Sequence, residues 1–419
     1  MTRGIFITLL ILSLPALPAG AQKKWSLEEC IEYALTNNIG LRRQSLQSEI
    51  GRTNYTKSRM DVLPDLNFGS DVNVGFGRSI DPVTNLITFE QNISNSFSVV
   101  SNLSVFNGFS TLNTIAANKF MLKAGLESEK IERNTLIVSI LGAYYNALYA
   151  KGLEDAAAMQ VILSEKQLFR IRKTVETGRE SLSKQFEMES RLSEDNLSYT
   201  IAKNNTSKAV TELRQLLQIE PGYGFDILLP PLDEILISDE TVSVDSIFDI
   251  ASQVLPRLKA INYELMAAEK QFAASKGSLA PSLTLGGAVY TGFYKILGNG
   301  AGEQDAYSTQ LKNNNSQALF VSLRIPIFNK YSNSKKIRLA RLNMDDARLR
   351  LELEKNTLYS EIENACLNIN RGRDEFLAAQ ANLQFNRKSF DALEKKFEAG
   401  LIDVIDYSAA RTNLFRTET

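Results

Sequence analysis

The chain of 419 residues contains no histidine. Histidine is the commonest general base near neutral pH and the commonest metal ligand in proteins. Catalysis by this chain would therefore depend on carboxylates, lysines, tyrosines or its two cysteines. The sequence predicts no enzyme, no catalytic residue, no bound metal and no cofactor.

An excess of charge of one sign is also missing. The 47 Lys and Arg residues stand against 48 Asp and Glu, which gives a formal net charge of −1. Because a nucleic-acid groove needs a basic surface, we expect no nucleic-acid partner. The sequence has no phosphate-binding loop of the form GxxxxGK[ST], so the energy for any transport would have to come from another protein.

Apolar runs long enough to cross a bilayer as a helix are absent. The run from Ile5 to Leu14 has ten residues, whereas a membrane helix needs roughly 20. Arg3 precedes this run and small residues lead up to Ala21, a pattern that predicts a secretory signal peptide at residues 1–21. Cleavage before Gln22 would leave no N-terminal cysteine, so we expect no N-terminal lipid anchor.

Proline is scarce, and it is missing from residues 83–220 and again from 327–419. Because proline interrupts helices, both stretches permit helices of unusual length. Only two cysteines are present, Cys30 and Cys366, and each falls in a predicted helix. We expect two small, half-buried helix residues rather than a disulfide.

The second half of the chain repeats the first. Ser26 and the residues up to Leu66 have counterparts 217 positions later, beginning at Ser243, and further along the offset is 222, so that Gly178 matches Gly400. A repeat of this length predicts two copies of one structural unit, each of which needs the other to bury its apolar face. We divide the chain into repeat 1 at residues 22–220, a linker at 221–242 and repeat 2 at 243–419.

Each repeat opens with short helices and then changes its periodicity. Ser26 and Glu29 form a capping box that predicts a helix start, and a second helix is predicted from about Leu41 to Asp61. Alternating apolar and polar residues then predict one β-hairpin per repeat, at about 65–106 and 282–328, with loops at 77–95 and 295–317. The apolar positions of the four strands are Leu66, Phe68, Val72, Val74 and Phe76; Phe97, Val99, Leu103 and Val105; Leu283, Leu285, Val289 and Phe293; and Leu319, Val321, Leu323, Ile325 and Ile327.

A long helical hairpin is predicted after each β-hairpin, at about residues 110–220 and 332–419. Leu136, Ile140 and Tyr144 form an apolar stripe with helical spacing. Gly178 and Gly400 lie at equivalent points and predict the two turns. The counterpart of Leu217 would lie beyond the last residue, so we expect the second hairpin to be truncated.

The predicted strands have the length and alternation of strands that cross an outer membrane, and aromatic residues lie near their ends. Two soluble hairpins with one face on a core are the alternative. Four strands cannot close a barrel, and lipid does not tolerate an open sheet edge. Eight strands enclose only side chains, whereas twelve begin to leave room for a passage, so a conduit favours three or more chains.

Several motifs, in their order and duplication, resemble the TolC-like outer-membrane efflux proteins. Together they span essentially the whole mature chain. The motifs are WSLEECIEYALTNN at Trp25, LPDL at Leu63 with APSL at Ala280, VFNGF at Val105 with PIFNK at Pro326, and KFEAGL at Lys396 followed by VID at Val404.

The resemblance implies a mainly α fold with a membrane β part, in which a homotrimer forms a 12-strand β-barrel continued by an α-helical barrel. It implies a passive exit duct of a tripartite efflux system in the outer membrane of a Gram-negative bacterium, fed by an inner-membrane pump of the RND or ABC type. It also implies that a periplasmic adaptor protein contacts the helical turns near Gly178, Gly400 and Leu401. Drug efflux is the leading interpretation, and type I protein secretion is the alternative.

The family also places an acidic ring a few residues after the turn glycine, where it narrows the periplasmic entrance. Asp406 matches that place in repeat 2, whereas its equivalent in repeat 1 is Lys184. We therefore take Asp406, Lys184 and the neighbouring Phe397 as gate candidates. Opposite charges at equivalent depth would pair adjacent hairpins, and the alternative is that both side chains only solvate a helix surface.

Two other classes of protein explain less of the sequence. A periplasmic coiled-coil scaffold would account for the helices but not for four alternating strands. An outer-membrane hydrolase would account for the strands but not for the long helices, and the lack of histidine leaves it without the usual base.

Overall fold

The computed structural model describes residues 23–80, 85, 87–220, 224–228, 243–297, 305–402 and 404–418. The predicted cleavage site at Ala21 and Gln22 and most of the predicted linker lie outside these residues. The described chain is mainly helical with a β part, which confirms the predicted fold class. In chain order the elements are β1 (Lys23–Trp25), α1 (Leu27–Asn37), α2 (Ile39–Met60), β2 (Asn67–Gly75), β3 (Ser79–Ile80), β4 (Ile87–Thr88), β5 (Gln91–Phe106), α3 (Ser110–Glu176), α4 (Leu182–Leu217), β6 (Phe225–Ile227), α5 (Val244–Val254), α6 (Pro256–Gly277), β7 (Ser282–Leu297), α7 (Tyr307–Asn313), β8 (Ser316–Arg324), α8 (Ser332–Glu398) and α9 (Val404–Glu418).

The helices occur in matching pairs, which confirms the predicted duplication. α1 and α5 have 11 residues each, α2 and α6 have 22 each, and α3 and α8 have 67 each. Phe109 and Tyr331 enter the two long helices with positive φ angles of 62° and 60°. This conformation is unfavourable for a side chain with a β-carbon. Edge-to-face contacts with Phe106 and Phe328, at 5.4 and 5.7 Å between ring centroids, hold both residues in place.

The described residues divide into two compact units, and each unit contains segments of both repeats. The helical unit comprises residues 23–42, 132–228 and 367–418. The sheet unit comprises residues 43–131 and 243–366. The long helices α3 and α8 contribute to both units because each runs through a division point.

A buried cluster joins α1, α3 and α4 in the helical unit. Ile140, Leu213 and Cys30 are fully buried in it. The predicted capping box is confirmed, because Ser26 Oγ accepts from the Glu29 N–H at 3.2 Å while the Glu29 carboxylate accepts from the Ser26 N–H at 3.1 Å. Burial raises the pKa of the Cys30 thiol to about 12, so this cysteine is an inert core residue.

A short parallel pair of strands, β1 and β6, lies beside this cluster. The Tyr144 hydroxyl, on α3, donates toward the carbonyls of Trp25 at 3.1 Å and Leu228 at 2.7 Å. Burial raises the pKa of Tyr144 to about 12, which keeps the hydroxyl protonated as a donor. The sequence assigned the region of β6 to a linker, and a three-residue strand gives too short a pattern to detect.

The sheet unit is built on a four-stranded antiparallel sheet in the order β2-β5-β7-β8. Both central strands are 16 residues long and pair from Gln91 opposite Leu297 to Phe106 opposite Leu283, with one register shift between Ser104 and Phe106. The loops predicted at 77–95 and 295–317 are therefore too long. Residues 91–95 are polar except for Ile93 and resemble a loop in sequence, but their backbone groups pair with β7 whatever their side chains are.

The remaining parts of these predicted loops contain structure that the sequence did not reveal. β3 and β4 form a small hairpin with Ser79 opposite Thr88, and α7 follows β7. β8 ends at Arg324, before the predicted strand positions Ile325 and Ile327. None of the helices in the described residues has both the length and the apolar character needed to cross a membrane.

Candidate functional site

The sheet has one apolar face. Side chains at alternate positions of a strand point to the same face, and the strand register extends each position to its neighbours. Phe68 lies opposite Val99, which lies opposite Val289, and all three belong to this face. The apolar residues of the edge strands are largely exposed, with 67% exposure at Val72 and 89% at Leu319. In a chain folded in water, a surface of this kind would be covered.

The opposite face of the sheet carries mostly polar or small residues, and Tyr290 and Phe320 are larger residues on it. Ser98 lies between Gly69 on β2 and Tyr290 on β7 in the register. On β7, a β-carbon at Gly286 would overlap the ring of Phe320, the residue opposite it on β8. Glycine at this position leaves space for the ring to lie flat against the sheet. The arrangement suits a surface that faces an open, hydrated space.

The first helical hairpin turns through a Schellman motif at the end of α3. The Gly178 N–H donates to the Val175 carbonyl and the Arg179 N–H to the Thr174 carbonyl, both at 2.9 Å. Gly178 has a φ of +70°, which a residue without a β-carbon adopts at low cost.

The second hairpin repeats this turn at the end of α8. The Gly400 N–H donates to the Phe397 carbonyl and the Leu401 N–H to the Lys396 carbonyl, both at 2.9 Å, and Gly400 has a φ of +71°. A β-carbon at either turn glycine would meet open space, and the Leu401 side chain is 75% exposed. The two turns therefore present matching, accessible surfaces.

The two charged gate candidates lie just beyond these turns, at the starts of α4 and α9. Lys184 Nζ lies 3.6 Å from the carboxylate of Glu180, within its own hairpin. Its backbone N–H donates to the N-cap Ser181 at 3.4 Å. Asp406 is exposed in the first turn of α9, where a negative charge interacts favourably with the helix dipole. Their role in a gate stays a prediction.

The third gate candidate, Phe397, packs between the two helical hairpins. Its ring contacts the cluster of Leu168, Ile171 and Met188, which belong to α3 and α4. It also stacks on Tyr407 of α9, with 4.5 Å between the ring centroids. Phe397 therefore contributes to the contact between hairpins, and any part in narrowing an entrance stays a prediction.

A buried arginine that the sequence did not single out lies close to this cluster. Arg411 of α9 is only 3% exposed, and its guanidinium lies 3.6 Å from the carboxylate of Asp195 on α4. It also donates to the side chains of Gln160 at 3.0 Å, Gln167 at 3.2 Å and Ser164 at 3.2 Å, all on α3.

The Arg411 network closes on itself. The Ser164 hydroxyl donates to the Asp195 carboxylate, which also forms the ion pair with Arg411. Burial lowers the pKa of the Arg411 guanidinium, and the negative charge of Asp195 opposes that effect. Burial also raises the pKa of the neighbouring Tyr407. The network fastens the second hairpin to both arms of the first with a charge pair that is shielded from water.

Within the described residues, no cluster of three or more His, Cys, Asp and Glu side chains has the arrangement of a metal site. The conspicuous features are structural instead: a two-faced sheet, two matching turns and a buried contact between hairpins.

Known proteins share the fold of this chain. Residues 249–419 match the family described as outer membrane efflux protein. CusC, in a crystal structure, is 17% identical with a TM-score of 0.79 over 93% of this chain and 86% of its own. The CmeC outer membrane channel of Campylobacter jejuni is 18% identical with a TM-score of 0.78 over 94% of this chain and 80% of its own. The predicted resemblance to TolC-like outer-membrane efflux proteins is confirmed.

Two curated proteins, both from strains of Pseudomonas putida, are each 24% identical over 278 residues, which is 65% of this chain. They are the probable efflux pump outer membrane protein SepC and the toluene efflux pump outer membrane protein TtgF. The alignment covers 55% of each relative, so the chain spans about half the length of the curated relatives it matches.

The family match covers repeat 2 and not repeat 1. Gly400, Asp406 and Arg411 lie inside the matched residues, whereas Gly178 and Lys184 lie outside them. The sequence did not predict that Arg411 is buried, because an arginine on a polar helix gives no sign of burial. Its spacing of four residues after Tyr407 was the one available signal, since i and i+4 share a helix face.

Proposed function

We propose that three copies of this chain form the outer-membrane channel of a tripartite efflux system. The two-faced sheet is the observation that carries the proposal. Its exposed apolar residues suit lipid, its polar face suits a hydrated passage, and each chain supplies four strands. Three copies bring twelve strands together, which closes the edges that lipid does not tolerate.

The helical turns are the proposed contact surface for a periplasmic adaptor protein. Gly178 and Gly400 present the same backbone conformation, and Leu401 beside the second turn is exposed. A partner that presents the same binding surface more than once would contact both turns in the same way. The adaptor would link the channel to an inner-membrane pump of the RND or ABC type.

The proposed channel is a passive conduit, and the pump supplies the energy for transport. No covalent step is part of the proposal. The predicted signal peptide supports export, and the apolar sheet face supports a location in the outer membrane with the helices in the periplasm. The names of SepC and TtgF favour efflux over type I protein secretion as the process served.

The test uses the purified full chain in planar bilayers, with a matched pair of variants on β5. Val99→Arg places a charge on the apolar face at the middle of the sheet, and the barrel scale gives a cost of roughly 2–4 kcal/mol for such a charge near the bilayer midplane. Ser98→Arg places the same charge on the polar face, one residue away. We expect the Val99 variant to lose membrane-inserted trimer and the Ser98 variant to insert and conduct.

Trimer yield is read from heat-modifiable migration on gels, and conductance from single-channel recordings. Equal trimer yields for the two variants would contradict the lipid-facing assignment. A parent chain that inserts without forming any conducting channel would contradict the proposed function itself.

A further inference from the structure

The two strands at one edge of the sheet differ in length. β7 has 16 residues and β8 has nine. β8 pairs with β7 from Ser282 to Tyr290, so residues 291–297 extend beyond the last pair, Tyr290 and Ser316. On its other side β7 stays paired with β5 as far as Leu297. Residues 291–297 therefore form a second edge, beside the end of β8, which we call the upper edge.

The short helix α7 bonds to the backbone of this upper edge. The Tyr294 N–H donates to the side-chain carbonyl of Gln310 at 2.9 Å, and the Asn314 side-chain amide donates to the Gly292 carbonyl at 2.8 Å. Residues two apart in an antiparallel strand direct their backbone groups to the same side. The two amide side chains thus occupy the bonding positions that another strand would use.

Further contacts hold α7 against the sheet. The Tyr307 hydroxyl donates to the Asn95 side chain on β5 at 2.9 Å, and the Tyr307 ring lies 4.7 Å from that of Phe293. The Thr291 hydroxyl donates to the Leu311 carbonyl. The Gln310 side chain is buried, and its amide donates to the Asp305 carbonyl at 3.0 Å. These bonds orient Gln310 so that its carbonyl faces the strand.

An exposed strand edge pairs readily with a strand of another chain, and native sheets cover or blunt such edges. Pairing in a wrong register would also turn apolar side chains to the wrong face. A trimer assembled from open sheets must avoid both errors. β2, the strand at the opposite edge of the sheet, has nine residues, as β8 has. β2 of a second copy therefore matches β8 in length and does not need the upper edge.

We propose that α7 caps the upper edge of β7 against strands of a second copy and so directs the β2 strand of that copy to β8. The proposal rests on the proposed trimeric channel and concerns how its copies recognise one another. Gln310 and Asn314 act by occupying backbone groups, and they touch no transported molecule.

The test compares two variants of α7 in the full chain. Gln310→Ala with Asn314→Ala removes both bonds to the upper edge. Ser308→Ala with Lys312→Ala changes two exposed residues of the same helix and is the matched control. We expect the first variant to raise the ratio of mispaired oligomers to trimers by about tenfold, because both hydrogen bonds to the upper edge are lost. Native mass spectrometry in detergent measures this ratio.

A cross-linking assay locates the wrong pairing. In a chain with Cys30→Ala and Cys366→Ala, Tyr294→Cys marks the upper edge and Asn73→Cys marks β2. These two positions of one chain are separated by β5, since both lie opposite Ser94. A disulfide-linked dimer therefore reports contact between copies. We expect this dimer when Gln310 and Asn314 are replaced and not when α7 is intact.

The single replacements Gln310→Ala and Asn314→Ala should each give an intermediate yield, which separates the effect from a general loss of folding. Parent-like trimer ratios and no cross-linked dimer in the double variant would overturn the edge cap and leave the proposed function standing. A parent chain that never trimerises would overturn the proposed function first, and the edge cap with it.

Discussion

The two helical hairpins fasten their arms at equivalent points with different chemistry. In the first hairpin Ser164 of α3 bonds to Asp195 of α4, and both residues are buried. In the second, 222 positions later, Asn386 of α8 bonds to Thr417 of α9 at 3.2 Å, partly buried and uncharged. The duplication preserved the place of the contact but not its charge.

The difference follows from one more pair of equivalent positions. Arg411 of the second hairpin inserts against Asp195, whereas its counterpart Glu189 remains at the surface of the first. The Arg172 guanidinium, 2.8 Å from Glu189, donates to this carboxylate and lowers its pKa. One repeat thus directs its charge outward and the other directs it inward, against its neighbour. Copies of one fold become unequal where they contact each other.

Removing the buried charge of Arg411 should have the largest effect on the unfolding free energy and should abolish the difference between the hairpins. Arg411→Ala leaves Asp195 buried without a counter-charge, and losses of this kind cost about 3–5 kcal/mol in unfolding free energy. Thr417→Ala, in the second hairpin, removes one neutral hydrogen bond and should cost about 0.5–1.5 kcal/mol. Denaturant unfolding of the full chain in detergent, followed by helical circular dichroism, measures both.

Arg172→Ala is the control for the charge itself, because its partner lies at the surface, and we expect little change. Replacing the buried pair together, with Arg411→Met and Asp195→Leu, should recover much of the lost stability, since apolar substitutes of similar size avoid burying charge. If Arg411→Ala and Arg172→Ala have equal effects, the inward arginine does not distinguish the hairpins.

The two turns should lose the same stability on substitution, although the contacts between the arms differ in the two hairpins. Gly178→Ala and Gly400→Ala each place a β-carbon on a left-handed residue, at a cost of about 1–2 kcal/mol. Gly142→Ala is the matched control, since Gly142 lies inside α3 with open space around it. There the change should stabilise the chain by about 0.5–1 kcal/mol. Clearly different losses at the two turns would show that the hairpin tips are not equivalent.

The smallest expected change in stability is the difference between replacing Asp406 and replacing Lys184, the two charged gate candidates. Asp406→Ala removes a favourable charge from a helix start and should cost about 0.3–1 kcal/mol at low salt. Lys184→Ala should change stability less. The attraction between Lys184 and Glu180 offsets the unfavourable interaction of a positive charge with the start of α4. Thermal unfolding in low and high salt measures the pair of variants.

Single-channel recordings of the same variants test the gate. If Asp406 narrows an entrance, Asp406→Ala should raise conductance, and Lys184→Ala should act in the same direction. Parent-like conductance in both variants at low salt would remove these residues from a gate and leave them with their roles at helix starts.

Local patterns were sufficient wherever a residue acts within its own element. The capping box at Ser26, the turn glycines and the lengths of the long helices follow from spacing alone, because caps and turns depend on near neighbours in the chain. The start of β5 did not follow, since four of the residues 91–95 are polar and the segment belongs to β5 through its pairing with β7 and β2. α7 was missed for the same reason, as Gln310 and Asn314 become significant only beside the upper edge.

The sequence by itself determined the duplication, the alternation of the strands and the points at which the long helices end, since each of these is a periodic or local property of the chain. Only the tertiary structure decided that Arg411 lies inside a contact between hairpins, that Phe397 packs rather than projects, and that α7 covers a strand edge. These outcomes depend on which distant segments meet, and burial then sets the cost of each charge and each open hydrogen bond.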